Sequence, residues 1–131
     1  MIKRWQPLRL ILTVILLSLL SACSSGPKVE QGSGRMVAEP FLDEIRQGAL
    51  DATWQKTSAE FKSFMGKEQF KAFVLMNPIL REKTVFQKEE PFPEGGKWLV
   101  CSFGAEKNPK AVKVFVGKEQ NTWLVHGLKV E

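Results

Sequence analysis

The sequence predicts an α+β domain. Apolar residues recur at spacings of three and four from Met36 to about Leu80, the period falls to two from Thr84 to Val130, and no segment repeats. Helices first and strands afterwards describe N-terminal helices packed on a curved antiparallel sheet of about four strands.

The helical half divides into short pieces. Pro40 suits a first helical turn, and Phe41, Leu42, Ile45 and Ala49 then fall on one face. Gly48 stands where that helix ends or bends, and a short segment over 49–56 carries Leu50 and Trp54. Thr57 or Ser58 can cap the next turn, in which Phe61, Phe64 and Met65 repeat at three/four spacing. Lys67–Met76 places Phe70, Phe73 and Val74 on one stripe, and Asn77-Pro78 stops it, because proline disfavours helix at the residue before it.

The second half reads as a meander: Thr84–Glu89, then Lys97–Phe103, Ala111–Val116 and Thr122–Val130. Residues 91–96 form a turn-rich break, and 104–109 and 117–121 are taken as hairpin loops. Setting Val116 opposite Thr122 aligns Val114 with Leu124 and Val112 with His126. Setting Cys101 opposite Val112 aligns Leu99 with Val114. One face is then Leu99, Cys101, Phe103, Val112, Val114, Leu124, His126 and Leu128, turned towards the helices. Cys101, Val112 and His126 meet on it as a candidate pocket. The other face carries Trp98, Phe115 and Trp123 in a row. Such a row stabilises a sheet by about 0.2–1 kcal/mol per cross-strand pair, and exposed to solvent it is a candidate partner or dimer surface. A slip of one residue exchanges the two faces.

Little in this pattern carries chemistry. His126 is the only histidine and the chain has no tyrosine, so a general base or a Cys101–His126 dyad lacks an orienting partner on its own face. It reads more simply as a core or pocket histidine. One histidine and one free cysteine cannot close a metal site, and no phosphate-binding glycine pattern follows a strand. No catalytic residue, metal or cofactor is assigned.

The first 22 residues have a different composition. Lys3, Arg4 and Arg9 precede an apolar run, Leu10 to Leu20, broken only by Thr13 and Ser18. A membrane-spanning helix needs about 20 apolar residues, so this run reads as a cleaved signal. Leu20-Ser21-Ala22-Cys23 resembles the lipobox of bacterial lipoproteins. The resemblance implies a diacylglyceryl group on the Cys23 sulfur, cleavage before Cys23 and a new amino terminus open to acylation. Ser24, with no Asp at that position, favours the outer membrane if the cell is Gram-negative. Residues 23–35 (CSSGPKVEQGSGR) then form the lipidated cysteine and a flexible tether, and 36–131 the single domain.

Removing the leader takes three of the 19 Lys and Arg, which leaves 16 basic against 14 acidic residues. A mature chain near neutrality, outside the cytoplasm, is not a nucleic-acid binder. With Cys23 acylated, Cys101 has no disulfide partner.

The run AEPFLDEIRQGALDATWQKTSAEFKSFMGKEQFKAFVLMNP resembles the helical opening of nuclear transport factor 2-like (cystatin-like) domains. The likeness extends over 36–131. It implies a cone closed by a curved sheet, used mostly by binding or accessory modules and in a minority by isomerases, cyclases and dehydratases. The expected function is therefore that of a membrane-anchored envelope lipoprotein, a non-catalytic binding or accessory module for a partner protein, a peptide or a small apolar ligand. Two other readings stay open: a lipid-anchored isomerase or cyclase using His126 in the cone, and a structural subunit dimerising through Trp98, Phe115 and Trp123. A cone filled by Phe64, Phe70 and Phe73 would argue against the enzyme.

Overall fold

The computed structural model describes residues 33–93 and 97–131; the expected leader, Cys23 and the tether as far as residue 32 lie outside them. The described residues belong to one compact unit. Four helices come first: α1 (Ser33–Arg46), α2 (Leu50–Gln55), α3 (Ala59–Phe64) and α4 (Lys67–Met76), followed by a 3₁₀ turn, Pro78–Arg81. Then come β1 (Val85–Pro91), β2 (Trp98–Ala105), β3 (Asn108–Glu119) and β4 (Thr122–Val130), an antiparallel meander in the order β1-β2-β3-β4. This is the expected α+β fold, with helices laid on a four-stranded sheet. Among the described residues no helix is long and apolar enough to cross a membrane.

Helix α1 begins at Ser33, so the last three residues expected in the tether are helical, and Pro40 falls inside the helix rather than in its first turn. Proline has no N–H to give to the carbonyl four residues back, here that of Met36. What fixes the start of α1 is a carboxylate: Glu89 on β1 accepts from the Arg35 N–H at 3.1 Å, and the Arg35 guanidinium lies 4.4 Å from the Phe86 ring centre. Ala38, Phe41, Leu42 and Ile45 are buried; Ala49 is exposed, because Gly48 turns the chain at φ +82° before α2. The Ser58 hydroxyl caps α3 by accepting from Phe61 N at 3.0 Å. Ser58 N–H donates to the Val125 carbonyl at 3.0 Å, and Ala59 N–H to a Glu119 carboxylate oxygen at 3.1 Å. The start of α3 is therefore pinned to the β3–β4 hairpin.

Aromatic and β-branched side chains pack the interior. Phe41, Phe61 and Phe70 meet with ring centres 5.9–6.4 Å apart and pack with Val112, Val114 and Val116 in one core. Of the three expected fillers only Phe70 is buried; Phe73 packs at the margin, and Phe64 is 82 % exposed. Both faces of α4 are apolar enough to satisfy a helical period, so periodicity alone could not choose between them.

The sheet register corrects the expected one. Cys101 pairs with Val114 and Leu99 with Val116, a two-residue shift that keeps the faces of β2 and β3. Between β3 and β4 the pairs are Glu119–Thr122 and Val116–Val125, then, past a bulge, Phe115–Gly127 and Val114–Leu128. The expected five-residue loop is a two-residue turn, Gln120-Asn121, with φ of 50° and 65° at its centre, the left-handed pair that matches strand twist in a tight hairpin. The loop expected over 104–109 shrinks likewise to Glu106-Lys107. Gly117 and Gly104 stay within strands, and at Gly117 the reason is contact rather than turning. A Cβ at Gly117 would lie 2.5 Å from Trp98 Cδ1, whereas one at Gly104 would meet only the movable amide end of Gln87.

The two edges of the sheet differ. At β4, Val125 is covered by the start of α3, whereas β1 is solvated along most of its length, bulged at Gln87 and closed by Pro91.

Candidate functional site

The bulge in β4 decides where the expected site residues stand. His126 is the extra residue between Val125 and Gly127. Its ring stacks on Trp98 with centres 5.2 Å apart, over Gly117 and outside the buried core. Cys101 and Val112 lie in the core on the helix side. The expected pocket of Cys101, Val112 and His126 is therefore not assembled, and no Cys101–His126 dyad exists. The His126 side chain is 5 % exposed, and among the described residues neither ring nitrogen has a hydrogen-bond partner; the Glu60 carboxylate stands 3.6 Å from Nδ1.

The expected row of Trp98, Phe115 and Trp123 is divided by the same bulge. Trp98 and Phe115 share the outer face, with Phe92 5.7 Å from each. Trp123 turns to the helix side and packs against the core, and the Lys118 ammonium lies 5.4 Å from its ring centre. The outer rings sit above glycines. Trp98 is paired with Gly117 and Phe115 with Gly127, so each ring covers backbone that has no side chain of its own. All three outer rings are half-buried without any partner molecule.

Cys101 is fully buried, with its thiol 3.7 Å from Glu89 Oε1. Burial, reinforced by that negative neighbour, pushes the thiol pKa up to about 12. A thiol needs the opposite environment to be a nucleophile. Cys101 is expected to resist a disulfide reagent at pH 8 in the folded domain and to react promptly in denaturant; rapid labelling without unfolding would contradict this burial. Because the folded value is raised, its contribution to stability is complete below the ordinary thiol range near 9 and is lost as pH rises towards about 12.

An apolar groove of about 320 Å³ lies elsewhere, between α1, α2 and β4. Met36, Val37, Pro40 and Phe41 form one wall, and Trp123, Leu124 and Val125 the other. Helical spacing puts Val37, Pro40 and Phe41 together, and the short α2 brings Thr53 and Lys56 to one end. There Glu44 Oε1 pairs with Lys56 Nζ at 2.6 Å, and its other oxygen lies 3.1 Å from the buried Thr53 hydroxyl. The groove is thus an apolar trough with a carboxylate and an ammonium at one end. Its volume is at the lower bound of small-ligand sites, about 300–1,000 Å³.

Of these groove residues only Trp123 was singled out by sequence as a binding residue, and there as part of a partner surface on the opposite face. One signal was present: apolar Met36, Val37 and Pro40 widen the α1 stripe beyond the Phe41–Leu42–Ile45 face that the core needs. Among the described residues no group of three or more His, Cys, Asp or Glu could hold a metal ion. Compared with family models, curated proteins and solved structures, the chain matches none, so its own geometry carries the functional reading.

Proposed function

We propose that this chain is an envelope lipoprotein, held at a bilayer through acylated Cys23, whose domain is a non-catalytic binding module. The groove between α1 and β4 takes a small apolar ligand or an apolar side chain of a peptide. The observation that carries this reading is the groove's lining: seven apolar residues from two elements, with polar groups confined to one end. Sites of this kind gain affinity from apolar contact and orientation from a few placed polar groups. The packed Phe41, Phe61 and Phe70 and the stacked position of His126, apart from Cys101, support the non-catalytic reading. The likeness to cystatin-like binding modules points the same way.

Two measurements test the two parts of the proposal separately. Val37→Trp fills the trough and should weaken binding of the apolar probe N-phenyl-1-naphthylamine by about tenfold, equivalent to about 1.4 kcal/mol, with an unchanged melting temperature. Equal probe affinity in the variant would remove the groove from the proposal. Cys23→Ser should move the protein from the detergent phase to the aqueous phase after extraction and partition. Retention in the detergent phase would remove the anchor.

A further inference from the structure

A second apolar surface lies on α3 and α4, built by Phe64, Met65, Ala72, Phe73 and Met76 around Gln69. Phe64 is 82 % and Met76 80 % exposed, although Phe70 and Val74 already satisfy the core on the inner side of α4. Amphipathic groups border it. Trp54 donates its indole N–H to the Met65 carbonyl at 2.9 Å, and the Lys62 ammonium lies 5.4 Å from the Trp54 ring centre. Lys67 opens α4 and makes no ion pair among the described residues. Carboxylates border it as well: Glu68 stands 3.8 Å from Lys71, which pairs with Asp51 at 2.7 Å, and Glu60 stands 3.6 Å from His126. Exposed Phe and Met, an indole at the margin and lysines on long apolar stems are the residue types that settle at a lipid–water boundary.

We propose that this α3–α4 face docks on the surface of the bilayer that holds the anchor. The proposal rests on the lipoprotein reading for its choice of occupant. Nine residues separate Cys23 from Ser33, and even fully extended they reach no more than ~35 Å. A surface confined to that distance meets lipid at high effective concentration, which adds to the affinity the face has for lipid on its own. One lipid anchor with a second weak contact is the arrangement that turns reversible attachment into stable placement. Docking through this face also sets an orientation, which a flexible link alone cannot do.

The test uses a chain beginning at Ser24, which keeps the compact unit Gln31–Glu131 and its core but has no acylation site. It is floated with vesicles of phosphatidylethanolamine and phosphatidylglycerol. The wild-type domain should co-float, and Phe64→Ser with Met76→Ser should lower the bound fraction about tenfold at an unchanged melting temperature. The Phe64→Leu, Met76→Leu pair should retain binding. Absence of co-flotation in the wild type overturns the proposal, as does equal flotation of the serine pair. So does a wild-type dimer that the serine pair converts to monomer, since a second copy would then occupy the face. Cys23 is absent throughout, so these outcomes are independent of the Cys23→Ser partition, which alone decides the anchor.

Discussion

Phe70→Ala is expected to cost about 3–5 kcal/mol, the usual range for emptying a fully buried aromatic site. Phe70 is 0 % exposed and sits between Phe41 and Phe61, with ring centres 6.2 Å and 5.9 Å away. Those two rings are held by separate helices, so neither can collapse into the space without moving its own backbone. A domain of this size has roughly 5–15 kcal/mol in total, and the loss corresponds to a fall in melting temperature of roughly 15–30 °C. Phe64→Ala, six residues away, should change stability by no more than about 0.5 kcal/mol, because Phe64 is 82 % exposed. Chemical denaturation of the two variants side by side checks both. Comparable losses would mean that Phe64 is held in the folded interior.

Gly117→Ala is expected to destabilise by about 1–3 kcal/mol, the cost of overpacking a well-filled site. The new methyl would stand 2.5 Å from Trp98 Cδ1 and 3.2 Å from His126 Cδ2. Trp98 cannot swing away freely, with Phe92 5.7 Å away and His126 stacked on it. Gly127→Ala should cost less, since the nearest Phe115 atom would be 3.1 Å away. The clash makes the loss depend on the indole, so Trp98→Ala should recover much of the Gly117→Ala penalty in a double-mutant cycle. Additive effects would assign the penalty to strand backbone instead.

The fold was legible in the sequence because a change of period from three/four to two survives any local error. Helix ends were legible where a side chain acts locally: the Ser58 cap and the Gly48 turn both reside in a few consecutive residues. What could not be read were features whose cause lies across the sheet. Gly117 looks like a turn residue until Trp98 is placed over it. Calling it loop shortened β3, and every β4 partner followed that error. The bulge at His126 then moved Trp123 to the other face, because one extra residue reverses alternation beyond it. The groove was hidden for a related reason. Its walls come from α1 and β4, separated by more than 80 residues of chain, and only the surplus apolar width of α1 hinted at it.

The contrast between the two margins of the sheet has a colloidal consequence. Molecules tethered to one bilayer are crowded in two dimensions, where lateral collisions are frequent and repeatedly bring strand margins together. A smooth, straight outer strand would invite its counterpart on the next molecule to add to the ladder, and the chain of additions has no natural end. Here the Ser58 N–H takes the Val125 carbonyl on one margin, and the other margin is interrupted by an extra residue at Gln87, studded with Lys88 and Glu90, and stopped by Pro91. A bulged, charged β1 and a β4 whose Val125 carbonyl is already taken are poor templates for such addition, which matters most if the proposed anchor crowds these molecules on one surface.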